Sequence, residues 1–257
     1  MQFIDTHTHV TDEAFPSIEE QDAFVSRALD AGVGRMLLAD IDSSGREAMY
    51  AAAGRHPGVL YPMLGLYPGS VKEDWEAELA ALEGWKGKGA VAIGEIGLDY
   101  HWDTTFREQQ KEALRLQFEL AAAMDLPVNI HLRDATDDFF RVLDGCRHLG
   151  LRGNLHAFSG SAETFRRILS YGDWYAGIGG VVTFRKASLQ EVVKQIPLER
   201  ILLETDAPYL APTPLRGSRN ESANIPLIAA KVAELKGTDI ETVAAVTTAN
   251  AGKLFGI

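Results

Sequence analysis

The chain has 257 residues, 46% of them hydrophobic and 24% charged, with a formal net charge of −11 at pH 7 and a single cysteine, Cys146. This length and composition supply a large core. The charge argues against broad non-specific binding to nucleic acid, and one cysteine excludes an internal disulfide and fits a reducing cytoplasm. No basic stretch followed by an apolar run opens the chain, and no apolar run approaches the roughly 18 residues of a membrane span, so neither secretion nor membrane insertion is expected.

Short apolar runs recur about every 30 residues. In order they are Phe3-Ile4, Arg35–Ala39, Val59–Leu64, Ala90–Ile93, Pro127–Ile130, Gly153–Leu155, Trp174–Ile178 and Arg200–Glu204. Each has strand length, and most are apolar enough for a strand covered on both faces. Helical patterns lie between them. Ser17-x-x-Glu20 is a capping box before Phe24, Ala28 and Ala31, and Gly32 ends that helix. Ser44-x-x-Glu47 is a second capping box. The longest helix is expected from about Thr105 to Met124, with Leu114, Phe118 and Ala121 facing the core. Further helices are expected over Ser161–Ser170 and Leu189–Gln195, after Pro226, and after the capping box Thr238-x-x-Glu241. Eight buried strands alternating with helices predict a single α/β domain over 1–257, a (β/α)8 TIM barrel. A doubly wound sheet is the alternative, but the glycine-rich turn it usually has after the first strand is replaced here by Thr6-His-Thr-His9.

In such barrels the active site forms at the C-terminal ends of the strands. Those positions hold His7 and His9, then Glu95, His131, His156 and Asp206. Four of the seven histidines thus converge on one mouth. Imidazole donates a lone pair while neutral, and four histidines with two carboxylates are more donors than one ion needs, so they suit two ions bridged by a carboxylate. His56 and His148 are expected near helix ends at the surface, and His101 in a loop. Asp99 and Glu204 either orient ligand histidines or cap loops.

The motifs Asp5-Thr-His-x-His9, Gly94-Glu-Ile-Gly-Leu-Asp-Tyr100, His131-x-Arg133, His156-x-Phe-Ser-Gly160, Glu204-Thr-Asp-Ala-Pro-Tyr209 and Arg216-Gly-x-Arg-Asn220 together resemble the TatD family of metal-dependent deoxyribonucleases and hydrolases, across essentially the whole chain. The resemblance implies an amidohydrolase-type barrel, two divalent ions and hydrolysis of DNA phosphodiesters. It implies that His7, His9 and Asp206 hold the first ion, that His131 and His156 hold the second, and that Glu95 bridges both. It points to magnesium or manganese, whereas imidazole-rich ligation by itself suits zinc, manganese or cobalt. The sequence departs from the family pattern at Tyr67, where the loop after the third strand commonly carries histidines, at Ala157 in place of cysteine and at Ser222 in place of proline. The first departure bears on substrate choice and marks Tyr67 as a substrate contact.

The expected chemistry is attack on phosphorus by a hydroxide activated by the two ions, with Asp206 as general base. The expected substrate is DNA, single-stranded or with an exposed end. Arg133, Arg185, Lys186, Arg216 and Arg219 fall in loops on the active-site face, forming a local basic rim on an acidic protein. Tyr100, Trp102, Phe158 and Tyr209 lie in the same loops, where they either stack on bases or pack the loops together. Two other readings are open: the same fold cleaving an aminoacyl-tRNA ester or a small phosphoester, and a metal-holding protein without turnover. Neither a membrane nor an obligate protein partner is expected.

Overall fold

Apolar runs too short for helices become eight parallel strands, each covered by the helix that follows it or by the next layer of the barrel. The computed structural model describes residues 1–257. The strands are β1 (Phe3–Thr8), β2 (Val33–Leu38), β3 (Leu60–Pro62), β4 (Ile93–Asp99), β5 (Val128–Arg133), β6 (Gly153–Leu155), β7 (Trp174–Ile178) and β8 (Ile201–Leu203). The helices are α1 (Ile18–Asp30), α2 (Ser43–Arg55), α3 (Trp75–Ala81), α4 (Arg107–Met124), α5 (Thr136–Gly145), α6 (Ala162–Leu169), α7 (Leu189–Gln195), α8 (Ile225–Lys236) and α9 (Ile240–Phe255). None is long and apolar enough to cross a membrane.

Strands β1 to β3 form one hydrogen-bonded arc and β4 to β8 another, in chain order. Two parallel bridges join the arcs into a closed (β/α)8 barrel, Leu64 with Ile93 and Thr8 with Ala207. At the first seam Gly94 N donates to the Leu64 carbonyl at 2.9 Å. At the second, His9 N donates to the Ala207 carbonyl at 2.8 Å and Asp206 N to the His7 carbonyl at 2.9 Å. This closure rules out the doubly wound alternative. It also means that the last seam of the barrel is made by expected site residues.

The fourth strand differs from its expected span. The run Ala90–Ile93 only leads into it, and β4 continues through Glu95 to Asp99, every residue buried. Its glycines hid it: a Cβ on Gly94 would lie 2.6 Å from Asn129 Cβ, and one on Gly97 would collide with the His131 carbonyl oxygen. Glycine lets β4 approach β5 closely, at the expense of the β-branched signal that marks a strand. Helix starts also differ in detail. Ser17 caps α1 as expected, accepting from Glu20 N at 3.2 Å. Asp42, not Ser44, caps α2, and Asp239, not Thr238, caps α9. Asp and Ser are equally good caps, so at α2 the earlier acceptor takes the role, whereas at α9 Asp239 is a better cap than Thr238. Helix α1 ends at Asp30, so Ala31 is its C-cap and not part of its face. Helices α3 and α5 lack counterparts among the expected elements. Neither has a side-chain cap, and α3 buries no residue fully.

One cluster of 50 buried apolar residues fills the barrel and its helix layer. Helix α4 places Leu114, Phe118 and Ala121 in it, and α5 adds Phe139, Phe140 and Leu143. Cys146 is buried there as a free thiol. Within this apolar surrounding lies one buried ion pair, Arg46 Nε to Asp40 Oδ2 at 2.6 Å. Asp40 Oδ2 also accepts from Gly65 N at 3.1 Å, and Arg46 Nη2 donates to the Gly65 carbonyl at 3.3 Å, so the pair fixes the start of the loop after β3. Removing one partner leaves a buried charge uncompensated. Asp40→Ala is expected to destabilise the fold by about 3–5 kcal/mol in chemical denaturation. A loss below about 1 kcal/mol, the worth of an exposed pair, would contradict this account of the pair.

Candidate active site

Strand ends deliver all six expected donors to one point. His7 and His9 alternate along the end of β1 and so share a face. Their Nε2 atoms lie 3.2 Å apart. Glu95, from β4, divides its carboxylate between two groups. Its Oε2 is 3.4 Å from His7 Nε2 and 3.8 Å from His9 Nε2. Its Oε1 is 2.8 Å from His131 Nδ1 and 3.6 Å from His156 Nε2. Asp206 Oδ1, following β8, is 3.4 Å from His9 Nε2 and 3.7 Å from His7 Nε2. Three donor groups result: His7 with His9 and Glu95, Glu95 with His131 and His156, and His7 with His156 and Asp206.

Outer partners orient three of the imidazoles. Asn129 Nδ2 donates to the Thr6 carbonyl and to Asn154 Oδ1, which leaves Asn129 Oδ1 as the acceptor 2.9 Å from His7 Nδ1. His7 therefore carries its proton on Nδ1 and turns the Nε2 lone pair inward. Glu204 Oε1 lies 3.0 Å from His156 Nδ1 and Asp99 Oδ2 lies 2.9 Å from His131 Nε2, so Asp99 and Glu204 orient histidines. Nitrogen lone pairs and carboxylate oxygens crowded within 4 Å of each other repel unless a cation sits among them. The donor set therefore fits divalent ions. Sequence reasoning missed Asn129, although an asparagine within the apolar run Pro127–Ile130 was its signal.

Protons serve as the cation when no ion is bound. Burial disfavours the cationic form of His131, but hydrogen bonds to Asp99 and Glu95 outweigh it and raise its pKa to about 9. Burial likewise opposes charge on His156, and Glu204, Glu95 and Asp206 raise it to about 10. His7 goes the other way, lowered by burial and by the neighbouring His156, whose ring stacks on it at 3.5 Å. Burial pushes the Glu95 carboxyl up, but the charges of His7 and His156 hold it well below the ordinary range.

His9, Glu95, His131, His156 and Asp206 floor a cavity of about 1070 Å³, with His7 buried beneath. Arg133, Arg185, Lys186 and Arg216 line it, as does Tyr67, so four of the five expected rim cations are brought together. Arg219 is not. Its guanidinium donates to Glu20 at 2.5 Å, to Glu221 and to the Ala14 carbonyl, and lies over Phe15 at 4.6 Å. Glu20 on α1 and Glu221 two residues along its own loop claim it, which its place in the Arg216–Asn220 motif did not reveal. The aromatics also divide. Trp102 and Tyr209 are exposed, while Tyr100 and Phe158 are buried and pack loops. His56 pairs with Asp22 at the end of α2 and His101 with Asp134, both away from the donors.

The chain is similar to several known proteins. The model of the TatD related DNase family matches residues 4–256. The chain is 39% identical over 268 residues to the protein named uncharacterized metal-dependent hydrolase YabD of Bacillus subtilis, covering 98% of both. It is 36% identical over 244 residues to the 3′-5′ ssDNA/RNA exonuclease TatD of Erwinia billingiae, covering 92% of this chain and 93% of that one. The crystal structure of the TatD homologue YjjV from Escherichia coli K12 superposes with a TM-score of 0.90 at 32% identity, covering 99% and 98%.

Since His131 and His156 hold protons at neutral pH, an entering ion must displace them. Titration of the metal-free protein with manganese near pH 7 is expected to release protons, seen as an observed enthalpy that changes with the ionisation enthalpy of the buffer. Apparent affinity is expected to rise with pH up to the range of about 9 to 10 set by these imidazoles. Buffer-independent enthalpy together with a flat affinity between about pH 6 and 9 would contradict the protonated free site.

Proposed function

Because this chain belongs to the family of TatD-related DNases, we propose that it uses two divalent ions to hydrolyse phosphodiester bonds at exposed ends of single-stranded DNA. Membership makes the chain a metal-dependent hydrolase. The observation that carries the finer reading is the division of Glu95, one carboxylate oxygen toward His7 and His9 and the other toward His131 and His156. In this reading His7, His9 and Asp206 hold one ion, His131 and His156 the other, and Glu95 both, with residues 1–257 acting as one unit in the cytoplasm. Magnesium, manganese and zinc all suit these donors. Such ions supply Lewis acidity, polarising a phosphoryl oxygen and making water acidic near neutral pH.

The remaining roles fall to side chains. Asp206 is the general base, because its side chain is 17% exposed to the cavity whereas that of Glu95 is 4% exposed. Arg133, Arg185, Lys186 and Arg216 hold backbone phosphates at the rim, where local positive charge offsets the net charge of −11. Exposed Trp102 and Tyr209 offer ring faces to unpaired bases.

With manganese present, wild type is expected to shorten single-stranded oligonucleotides. Asp206→Asn is expected to slow turnover about a hundredfold or more without loss of fold, as judged by circular dichroism. Near-wild-type turnover in that variant at saturating metal would place the base elsewhere. Arg216→Ala, with cleavage blocked, is expected to reduce the log–log salt slope of single-strand binding by about 0.7, the share of one phosphate contact. Equal slopes would remove Arg216 from the phosphate track.

A further inference from the structure

Charge is distributed unevenly around the mouth of the cavity. Its cations come from one side of the ring: Arg133 from the end of β5, Arg185 and Lys186 from the loop after β7, and Arg216 from the loop after β8. Arg216 leans over Phe184 at 4.5 Å, toward the β7 side. Apart from the donor His9, the loops after β1, β2 and β3 line the cavity with Asp12, Ile41, Tyr67, Gly69 and Ser70, and with no lysine or arginine. A polyanion lying across the donors therefore finds partners for its phosphates on one side of them only.

Asp12 is the only carboxylate that those three loops bring to the cavity. It follows His9 closely, its backbone N donating to the His9 carbonyl at 3.1 Å. Its carboxylate is fixed from two directions: Oδ1 accepts from Ala14 N at 2.8 Å, and Oδ2 accepts from the Tyr209 hydroxyl at 2.7 Å. The Tyr209 ring stands edge-on to His9, with centroids 6.2 Å apart, and so joins Asp12 to the donor set. Two hydrogen bonds leave the carboxylate with lone pairs to spare. No cation pairs with it, because Arg219, which reaches the nearby Ala14 carbonyl, is held by Glu20 and Glu221. A fixed carboxylate of this kind accepts a hydrogen bond from a hydroxyl and repels a phosphate. The end of a polynucleotide differs from its interior in that respect: a terminal sugar carries a hydroxyl where an internal sugar carries a phosphate.

We propose that Asp12 reads the end of the strand, accepting a hydrogen bond from the terminal sugar hydroxyl and repelling any strand that continues there as a phosphate. The terminal nucleotide then lies against the cation-free side of the mouth, and the rest of the strand leaves over Arg133, Arg185, Lys186 and Arg216. The proposal rests on the nuclease reading above and supplies the residue that restricts it to ends.

The test compares manganese-loaded wild type, Asp12→Asn and Asp12→Lys on single strands of one sequence: with hydroxyls at both ends, with a phosphate at the 3′ end, with a phosphate at the 5′ end, and closed into a circle. Bis(p-nitrophenyl) phosphate, which has neither a sugar hydroxyl nor a base, reports the metal chemistry by itself. In wild type, a phosphate at one of the two ends is expected to lower kcat/KM on the order of tenfold to a hundredfold, and closing the circle to lower it at least as much. Asp12→Asn is expected to remove most of that difference and Asp12→Lys to reverse it. Metal content and turnover of bis(p-nitrophenyl) phosphate are expected to stay at wild-type values in both variants. An Asp12→Asn protein that keeps the full wild-type preference would overturn the proposal. So would a wild type that cuts hydroxyl-ended, phosphate-ended and circular strands alike, a result that leaves phosphodiester hydrolysis standing. If wild type hydrolyses bis(p-nitrophenyl) phosphate but none of the strands, the nuclease reading falls and this proposal falls with it.

Discussion

A carboxylate sunk among four imidazoles is the constraint on which the rest of the site depends. Glu95 is 3% exposed. Withdrawing such a charge from water costs several kcal/mol unless positive charge surrounds it. His7 and His9 answer one of its oxygens and His131 and His156 the other. Those imidazoles are useful only if each presents a chosen nitrogen, which is why Asn129, Asp99 and Glu204 stand behind three of them. Glu204 in turn occupies the space left by Gly177, where a Cβ would collide with its carboxylate. The barrel holds β1, β4, β5, β6 and the end of β8 in one ring, so five separate stretches of chain can meet around one carboxylate.

Closure of that ring and assembly of the site are one event. Asp5, fully buried in β1, accepts from His7 N at 3.2 Å, from Thr205 N at 2.9 Å, from Thr205 Oγ1 at 2.5 Å and from Ser222 Oγ at 2.6 Å. It ties the first strand to the residue preceding Asp206 and to the helical turn that leads into α8. Asp206 itself sits at φ 57, a left-handed conformation that costs a non-glycine residue of order 1–3 kcal/mol and is tolerated where the surroundings over-determine it. Donors nearly 200 residues apart in sequence, His7 and Asp206, are thereby set 3.7 Å apart.

Legibility of the sequence followed the physics of each signal. The strands and most helices announced themselves through apolar runs and caps, and the donors through histidines placed after those runs. The true extent of β4 was hidden because close approach to β5 demands Gly94 and Gly97, which resemble a loop. Helix α3 was hidden because it buries little. At the rim, position in the chain could not distinguish Arg216, which lies over Phe184 at 4.5 Å in the cavity wall, from Arg219, which neighbouring carboxylates hold outside it. One of those carboxylates, Glu20, is nearly 200 residues away in the chain. The same holds for Ser222, whose departure from the family pattern sets a hydroxyl on Asp5, more than 200 residues away in the chain.

The most direct test of the central claim is anomalous diffraction from crystals of the manganese-loaded protein. The account predicts two peaks about 3.5–4 Å apart on either side of the Glu95 carboxylate, one beside His7 and His9 and one beside His131 and His156. A single peak at full occupancy under saturating manganese, or two peaks with Glu95 bound to only one of them, would contradict it.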